Sequence, residues 1–193
     1  MSRRRGGVAQ RCYIDSCVFI EVIKGRTGVG IDHEEEDYDR CLQVLAQFES
    51  GALDVTASTL VYVEVFGKGE AKLEDKRKSQ LATGQTQAAA SAIIDSWFKS
   101  VPISWVEVHQ DIAEDAREMA RRFRLDSQDA VHLATAIDEE CGIFYTLDRR
   151  LIRRIEDGGG ISSLQLLLPL AMGQLTIPSQ VSASETVSPL DPS

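Results

Sequence analysis

The chain has 193 residues, 43% of them hydrophobic, and a formal net charge of −9. That length supports one well-buried core and is short for two ordinary domains, and no apolar run reaches the roughly 18 residues needed to span a membrane. The acidic balance excludes a protein that grips nucleic acid over its whole surface, which needs clustered Lys and Arg, although carboxylates that hold metal ions are counted in it as bare negative charge.

The opening MSRRRGG is basic but leads straight into a polar, strand-like segment without an apolar signal core, so secretion is not expected. Residues 1–10 read as a basic tail. Cys12, Cys17, Cys41 and Cys141 show neither zinc-site pairing nor the density of a disulfide scaffold. Reduced, mostly buried thiols and a cytoplasmic location are expected. Arg11 to Ile14 predicts a strand and Val18 to Ile23 an apolar helix, with Asp15 at their junction and Gly25, Gly28 and Gly30 ending the helix. Asp32, Glu34, Glu35, Glu36, Asp37 and Asp39 form an acidic run of the kind usually found in a solvated loop or at a helix start. Tyr38 to Phe48 carries Leu42, Leu45, Ala46 and Phe48 at helical spacing, and Gly51 closes it.

Leu53 to Thr56 reads as the second strand, after which Ser58 or Thr59 can cap a helix carrying Val61, Val63, Glu64, Val65 and Phe66. The polar stretch from Gly67 to Gln87 gives no placement. Ala88 to Phe98 predicts a helix, and Val101 to Val108 a strand that Pro102 assigns to a sheet edge. An amphipathic helix follows, with Ile112, Ala116, Met119, Ala120 and Phe123 on one face. Ser127 to Glu139 is a further helix, Ile143 to Thr146 a strand, Asp148 to Ile155 a short basic helix and Ser163 to Leu168 a last strand. Strands and helices alternating at these lengths predict an α/β fold with one central parallel sheet of about five strands, covered by helices on both faces. The domain is expected over 11–170, and the Ser- and Pro-rich residues 171–193 as a disordered tail.

Four acids stand out by position. Asp15 and Asp148 fall where a strand hands over to a helix, and in a parallel sheet those turns share the carboxyl edge where ligands bind. Taken singly, each is equally a helix cap. Asp129 follows Asp126 by three residues, a near capping box. Glu64 sits among Tyr62, Val63, Val65 and Phe66, where a buried carboxylate is costly without a partner, the alternative being an outward-facing Glu. Four converging carboxylates repel one another and call for positive charge. With no thiolate or imidazole in the set, Mg²⁺ or Mn²⁺ is the natural choice. Such a site suits phosphodiester hydrolysis, the ion activating water and stabilising the leaving oxygen. His132 shares a helix face with Asp129 and could be a ligand or order a carboxylate, although a lone His on a mostly apolar helix is more often a hydrogen-bonded packing residue; it is placed behind the ligands.

The segments CYIDSCVFIEVIKG, STLVYVEVF, DAVHLATA and FYTLDRRL, in that order from Cys12 to about Leu168, resemble the PIN-domain family and in particular the VapC-type toxins of bacterial toxin–antitoxin pairs. The resemblance implies a single PIN domain acting as a metal-dependent endoribonuclease, with Asp15, Glu64, Asp129 and Asp148 as catalytic metal ligands. Ser16 and Thr146 match hydroxyl positions that hold water or position the acids. A cognate antitoxin and a homodimer are implied partners. Cys17 stands where a small polar residue is more usual, and the Arg26 to Arg40 insertion is longer and more acidic than the family pattern. Arg149, Arg150, Arg153 and Arg154 follow Asp148 directly and are candidates for holding RNA phosphates, or else a solvated helix face. Ile93, Ile94, Trp97 and Phe98 are either exposed apolar residues suited to a dimer face or part of the core. The alternatives to a toxin are a catalytically inactive PIN-like binding module and an RNA-processing PIN nuclease. A phosphatase forming an aspartyl-phosphate is disfavoured, since Asp15-Ser16-Cys17 lacks the second acid of a D-x-D turn.

Overall fold

The computed structural model describes residues 9–27, 35–67, 92 and 95–169. Expectations that fall on residues 1–8, 28–34, 68–91, 93–94 and 170–193, including both tails and Ile93 and Ile94, lie outside the described residues. In chain order the elements are β1 (Gln10–Ile14), α1 (Ser16–Thr27), α2 (Glu35–Glu49), β2 (Leu53–Ser58), α3 (59–67), α4 (95–100), β3 (Ser104–Val106), α5 (Gln110–Phe123), α6 (Ser127–Asp138), β4 (Ile143–Tyr145), α7 (Arg149–Asp157) and β5 (Gln165–Leu167).

All five strands are parallel, in the order β3-β2-β1-β4-β5. Successive side chains of a strand point to opposite faces, and here they feed two separate cores. Cys12, Ile14, Val55, Ala57, Ile143 and Tyr145 pack on one side with Val18, Phe19 and Val22 of α1, Val44, Leu45 and Phe48 of α2, Val61 and Val65 of α3 and Phe98 of α4. Tyr13 and Phe144, one residue out of step, pack on the other side with Ile112 and Phe123 of α5, Leu133 of α6 and Leu151 and Ile155 of α7. A sheet buried on both faces explains why its strands read as nearly continuous apolar runs. The result is the three-layer α/β architecture that the alternating pattern predicted.

The connectivity places the functional edge. From β1 the chain moves outward to β2 and β3, then crosses back to β4 and β5 on the far side of β1. Order reverses between β1 and β4, and it is at the carboxyl ends of the strands beside such a reversal that open parallel sheets bind ligands. The Asp15 N–H donates to the Tyr145 carbonyl at 3.0 Å across this junction.

Several boundaries differ from expectation. Helix α1 runs through Gly25 to Thr27, since a glycine costs a helix only about 1 kcal/mol and does not forbid it. Gln10 belongs to β1 and pairs with Leu53 rather than to a tail. The outer strands are short: β3 starts at Ser104 because Pro102 has no N–H to give to β2, and β5 starts at Gln165 after a turn. Gly51, at φ +74°, does close α2. The acidic run starts α2, and Asp37 there is buried, bonded to Arg149 at 3.4 Å and paired with Arg40 at 3.6 Å. Phe98 is 2% exposed and belongs to the core, while Trp97 is partly buried against it.

Candidate active site

The carboxyl ends of the three central strands each contribute to one cluster. Asp15 follows β1 directly; Ser58 ends β2 and caps α3, accepting the Leu60 N–H at 3.1 Å; Thr146 and Asp148 follow β4. Capping by Ser58 sets the start of α3 and so decides where Glu64, six residues on, arrives. On the opposite layer, Asp126 caps α6 by accepting the N–H groups of Gln128 and Asp129 at 3.2 and 3.1 Å, which fixes Asp129 and His132 in the first turns of α6.

Asp15, Glu64 and His132 are all buried, and each offers one ligand atom within 4.8 Å of those of the other two. The Asp15 carboxylate is held at several points. Oδ2 accepts from Thr146 Oγ1 at 2.7 Å and from Cys17 Sγ at 3.1 Å, and Oδ1 accepts from Ser16 Oγ at 3.3 Å. Glu64 Oε2 lies 2.9 Å from His132 Nε2. Asp129 and Asp148 are partly buried and stand outside that tight triad, but close enough for their charges to matter. Asp148 is the cap of α7. Its Oδ1 accepts the N–H groups of Arg150 and Leu151 at 2.7 and 3.1 Å as the α7 cap, so capping and the family role are compatible at one residue.

Asp129 feels the charges of its acidic neighbours. The Asp129 carboxyl is pushed up to about 6, first by burial and then by the negative charges of Asp126, Asp15 and Asp148, with His132 opposing. The cluster therefore carries more negative charge than its surroundings stabilise, and a hard cation bound by carboxylate oxygens relieves that excess. The donor set fits a divalent ion of that class. Because folding raises the proton affinity of Asp129, the unfolded chain ionises first as pH climbs. The folded state is penalised progressively from about pH 4, with the penalty complete above about pH 6. Asp129→Asn is accordingly expected to stabilise the metal-free protein by roughly 1–2 kcal/mol near pH 7.5, after allowance for solvent screening, and by little near pH 4. Melting curves in chelator at the two pH values check this, and an equal shift at both would contradict it.

Two residues, Cys17 and Tyr13, gain roles that the sequence reading did not assign. The Cys17 thiol is raised well above its ordinary value by burial and then by the Asp15 charge, so it remains an S–H donor to Asp15 while Sγ accepts the Leu147 N–H at 3.1 Å. It thereby does the bridging work of the small polar residue expected there. Tyr13, with no exposed surface, places Oη 2.7 Å from His132 Nδ1, and Ser58 donates its N–H to the same oxygen at 2.9 Å. A tyrosine inside a two-sided parallel sheet needs a hydroxyl partner, which was the available signal. The four arginines are exposed along α7. Arg149 bonds Asp37, Arg153 Nε donates to the Arg149 carbonyl and Arg154 Nη1 to the Arg124 carbonyl, at 3.4, 3.1 and 3.4 Å.

The chain is a three-layer α/β domain whose acids gather at the carboxyl edge of its central parallel strands. A family model for the PIN domain matches residues 12–157, and the chain belongs to that family. PIN domains are generally nucleases that bind divalent metal, and the acidic cluster is in keeping with this. Among solved structures, the chain is similar to one from a toxin–antitoxin complex of Klebsiella pneumoniae, at 20% identity and a TM-score of 0.46, over 80% of this chain and 95% of that one. Curated proteins give no match.

Proposed function

We propose that this PIN domain is an Mg²⁺- or Mn²⁺-dependent endoribonuclease and the toxin of a toxin–antitoxin pair. The observation that carries the nuclease reading is the convergence of the buried Asp15 and Glu64 at one edge of the sheet, beside Asp129, whose carboxyl is raised first by burial and then by Asp126, Asp15 and Asp148. Asp15, Glu64, Asp129 and Asp148 would hold the ion. When bound, it supplies activation of a water molecule and neutralisation of the charge that develops on the leaving oxygen.

The remaining work falls to the chain itself. Thr146, Cys17 and Ser16 hold the Asp15 carboxylate in one orientation, and His132 does so for Glu64. Asp148 is anchored through Oδ1 by the α7 cap, which leaves its second oxygen for the ion. Arg150 and Arg153 extend from the helix that begins at Asp148 and are suited to phosphates flanking the scissile bond. A recessed acidic site favours single-stranded or looped RNA, which can reach into it, over duplex. The toxin assignment is supported by the four family segments occurring in order, and a cognate antitoxin and the homodimer follow from that resemblance. A reducing, cytoplasmic compartment suits the four free cysteines. Among the described residues no helix is long and apolar enough to cross a membrane.

The test is cleavage of a mixed RNA pool by purified protein with Mg²⁺ or Mn²⁺, with and without chelator, alongside a site variant prepared identically to expose contaminating nuclease. Cleavage that requires metal and is lost in the variant is expected. Absence of both cleavage and calorimetric Mn²⁺ binding would overturn the reading in favour of a PIN module that binds without turnover.

A further inference from the structure

We propose that Tyr13 is a positioning residue of this site: with Ser58 and His132 it forms a closed, directional hydrogen-bond circuit that fixes the orientation of Glu64. The inference rests on the metal-nuclease reading for its functional consequence, while the circuit itself stands on geometry.

The direction follows from counting donors. Ser58 donates its backbone N–H to Tyr13 Oη at 2.9 Å. With one acceptor position of Oη so occupied, the arrangement that gives each hydrogen its own acceptor puts the Tyr13 hydroxyl hydrogen on His132 Nδ1, 2.7 Å away. A neutral imidazole that accepts at Nδ1 carries its proton on Nε2, and Nε2 is 2.9 Å from Glu64 Oε2. Each donor thus meets one acceptor and the carboxylate receives the last hydrogen. The chain then closes on itself through the backbone, because Ser58 is also the cap of α3, which carries Glu64.

The circuit joins three parts of the fold that are far apart in sequence: β1, the β2–α3 turn and α6. It is dry, with Tyr13, Glu64 and His132 at 0%, 4% and 2% exposure, so no bulk water competes for these bonds and a missing partner is felt in full. The Tyr13 ring is itself fixed, stacked on Phe144 at 5.0 Å and 4° and tilted against His132 at 5.8 Å. A rigid ring holding a rigid hydroxyl is what a positioning role needs. Partners in the shell behind a metal ligand typically change ion affinity by about 10–100-fold when removed.

Tyr13→Phe tests this, since it deletes one oxygen and keeps the stacked ring. The chain has three histidines, and a His132→Gln variant assigns the His132 signals in ¹⁵N-histidine NMR spectra. In metal-free wild type, His132 is expected as the neutral Nε2–H tautomer. In Tyr13→Phe the tautomers should mix, calorimetric Mn²⁺ affinity should fall about tenfold, and kcat on RNA should fall with KM little changed. Phe144→Leu loosens the packing under the same ring but keeps the hydroxyl. It should lower the melting temperature while moving the tautomer and the Mn²⁺ affinity much less than Tyr13→Phe does, because every hydrogen bond of the circuit remains. A proton on Nδ1 of wild-type His132, or a Tyr13→Phe protein with unaltered tautomer and affinity, would overturn the proposal. Wild type with the expected tautomer but no Mn²⁺ binding would leave the circuit standing and bring down the metal reading instead.

Discussion

Asp15→Asn should lower metal-dependent RNA cleavage by about 10³-fold or more and leave the protein folded. The loss follows from position, because Asp15 is the acid from the central strand, at the point where strand order reverses, and its carboxylate is shared between the β1 and β4 turns. Replacing a charged ligand by an amide removes one unit of negative charge from the heart of the donor set without changing its shape. The fold should survive because the amide can be accommodated. Its oxygen can take the Oδ2 position and accept from Thr146 and Cys17, and its NH₂ then faces Ser16, whose hydroxyl can turn to accept. Removing one member of a repelling cluster also relieves the charge that raises Asp129. Single-turnover cleavage of a labelled RNA, with circular dichroism melts beside it, measures both parts. Activity within tenfold of wild type would remove Asp15 from the reaction.

What could be read in the sequence, and what could not, divides by range. Asp15, Asp148 and the Asp126-to-Asp129 turn are local features: a strand ends, a carboxylate caps a helix, and parallel topology brings these turns to one edge. Glu64 was legible because an acid in an apolar helix turn needs a reason, and burial at 4% exposure bears that out. The contacts that orient these acids were not legible. Thr146 is 131 residues from Asp15, and Tyr13 is 119 from His132. Periodicity can assign a residue to a face, but it does not say which distant hydroxyl that face will meet. Trp97 and Phe98 show the same limit, since composition leaves a surface patch and a core cluster equally open and only packing decides. Gly25 shows another, because a glycine costs a helix only about 1 kcal/mol and does not by itself end one.

Thr146→Val should cost the metal-free protein about 2–4 kcal/mol of stability and also weaken cleavage sharply, with Thr146→Ser restoring most of both. Thr146 is fully buried, and Oγ1 makes two opposed bonds there. It donates to Asp15 Oδ2 at 2.7 Å and accepts the Asp148 N–H at 3.0 Å, so one hydroxyl connects the acid after β1 to the acid after β4. Valine fills the same volume and can do neither. The carboxylate loses its shortest bond, and the Asp148 N–H is left without its hydroxyl acceptor in a place water reaches poorly, which is where an unmade bond costs most. Both acids would then be free to turn, and a donor set needs its oxygens held within a fraction of an ångström. Serine keeps the oxygen and loses only a methyl group, so the stability deficit should shrink to that of a small cavity, on the order of 1 kcal/mol. Urea unfolding in chelator and cleavage at a temperature well below both transitions separate the two effects. If valine proves as active as wild type once folded, the hydroxyl holds the sheet edge together and has no part in orienting Asp15.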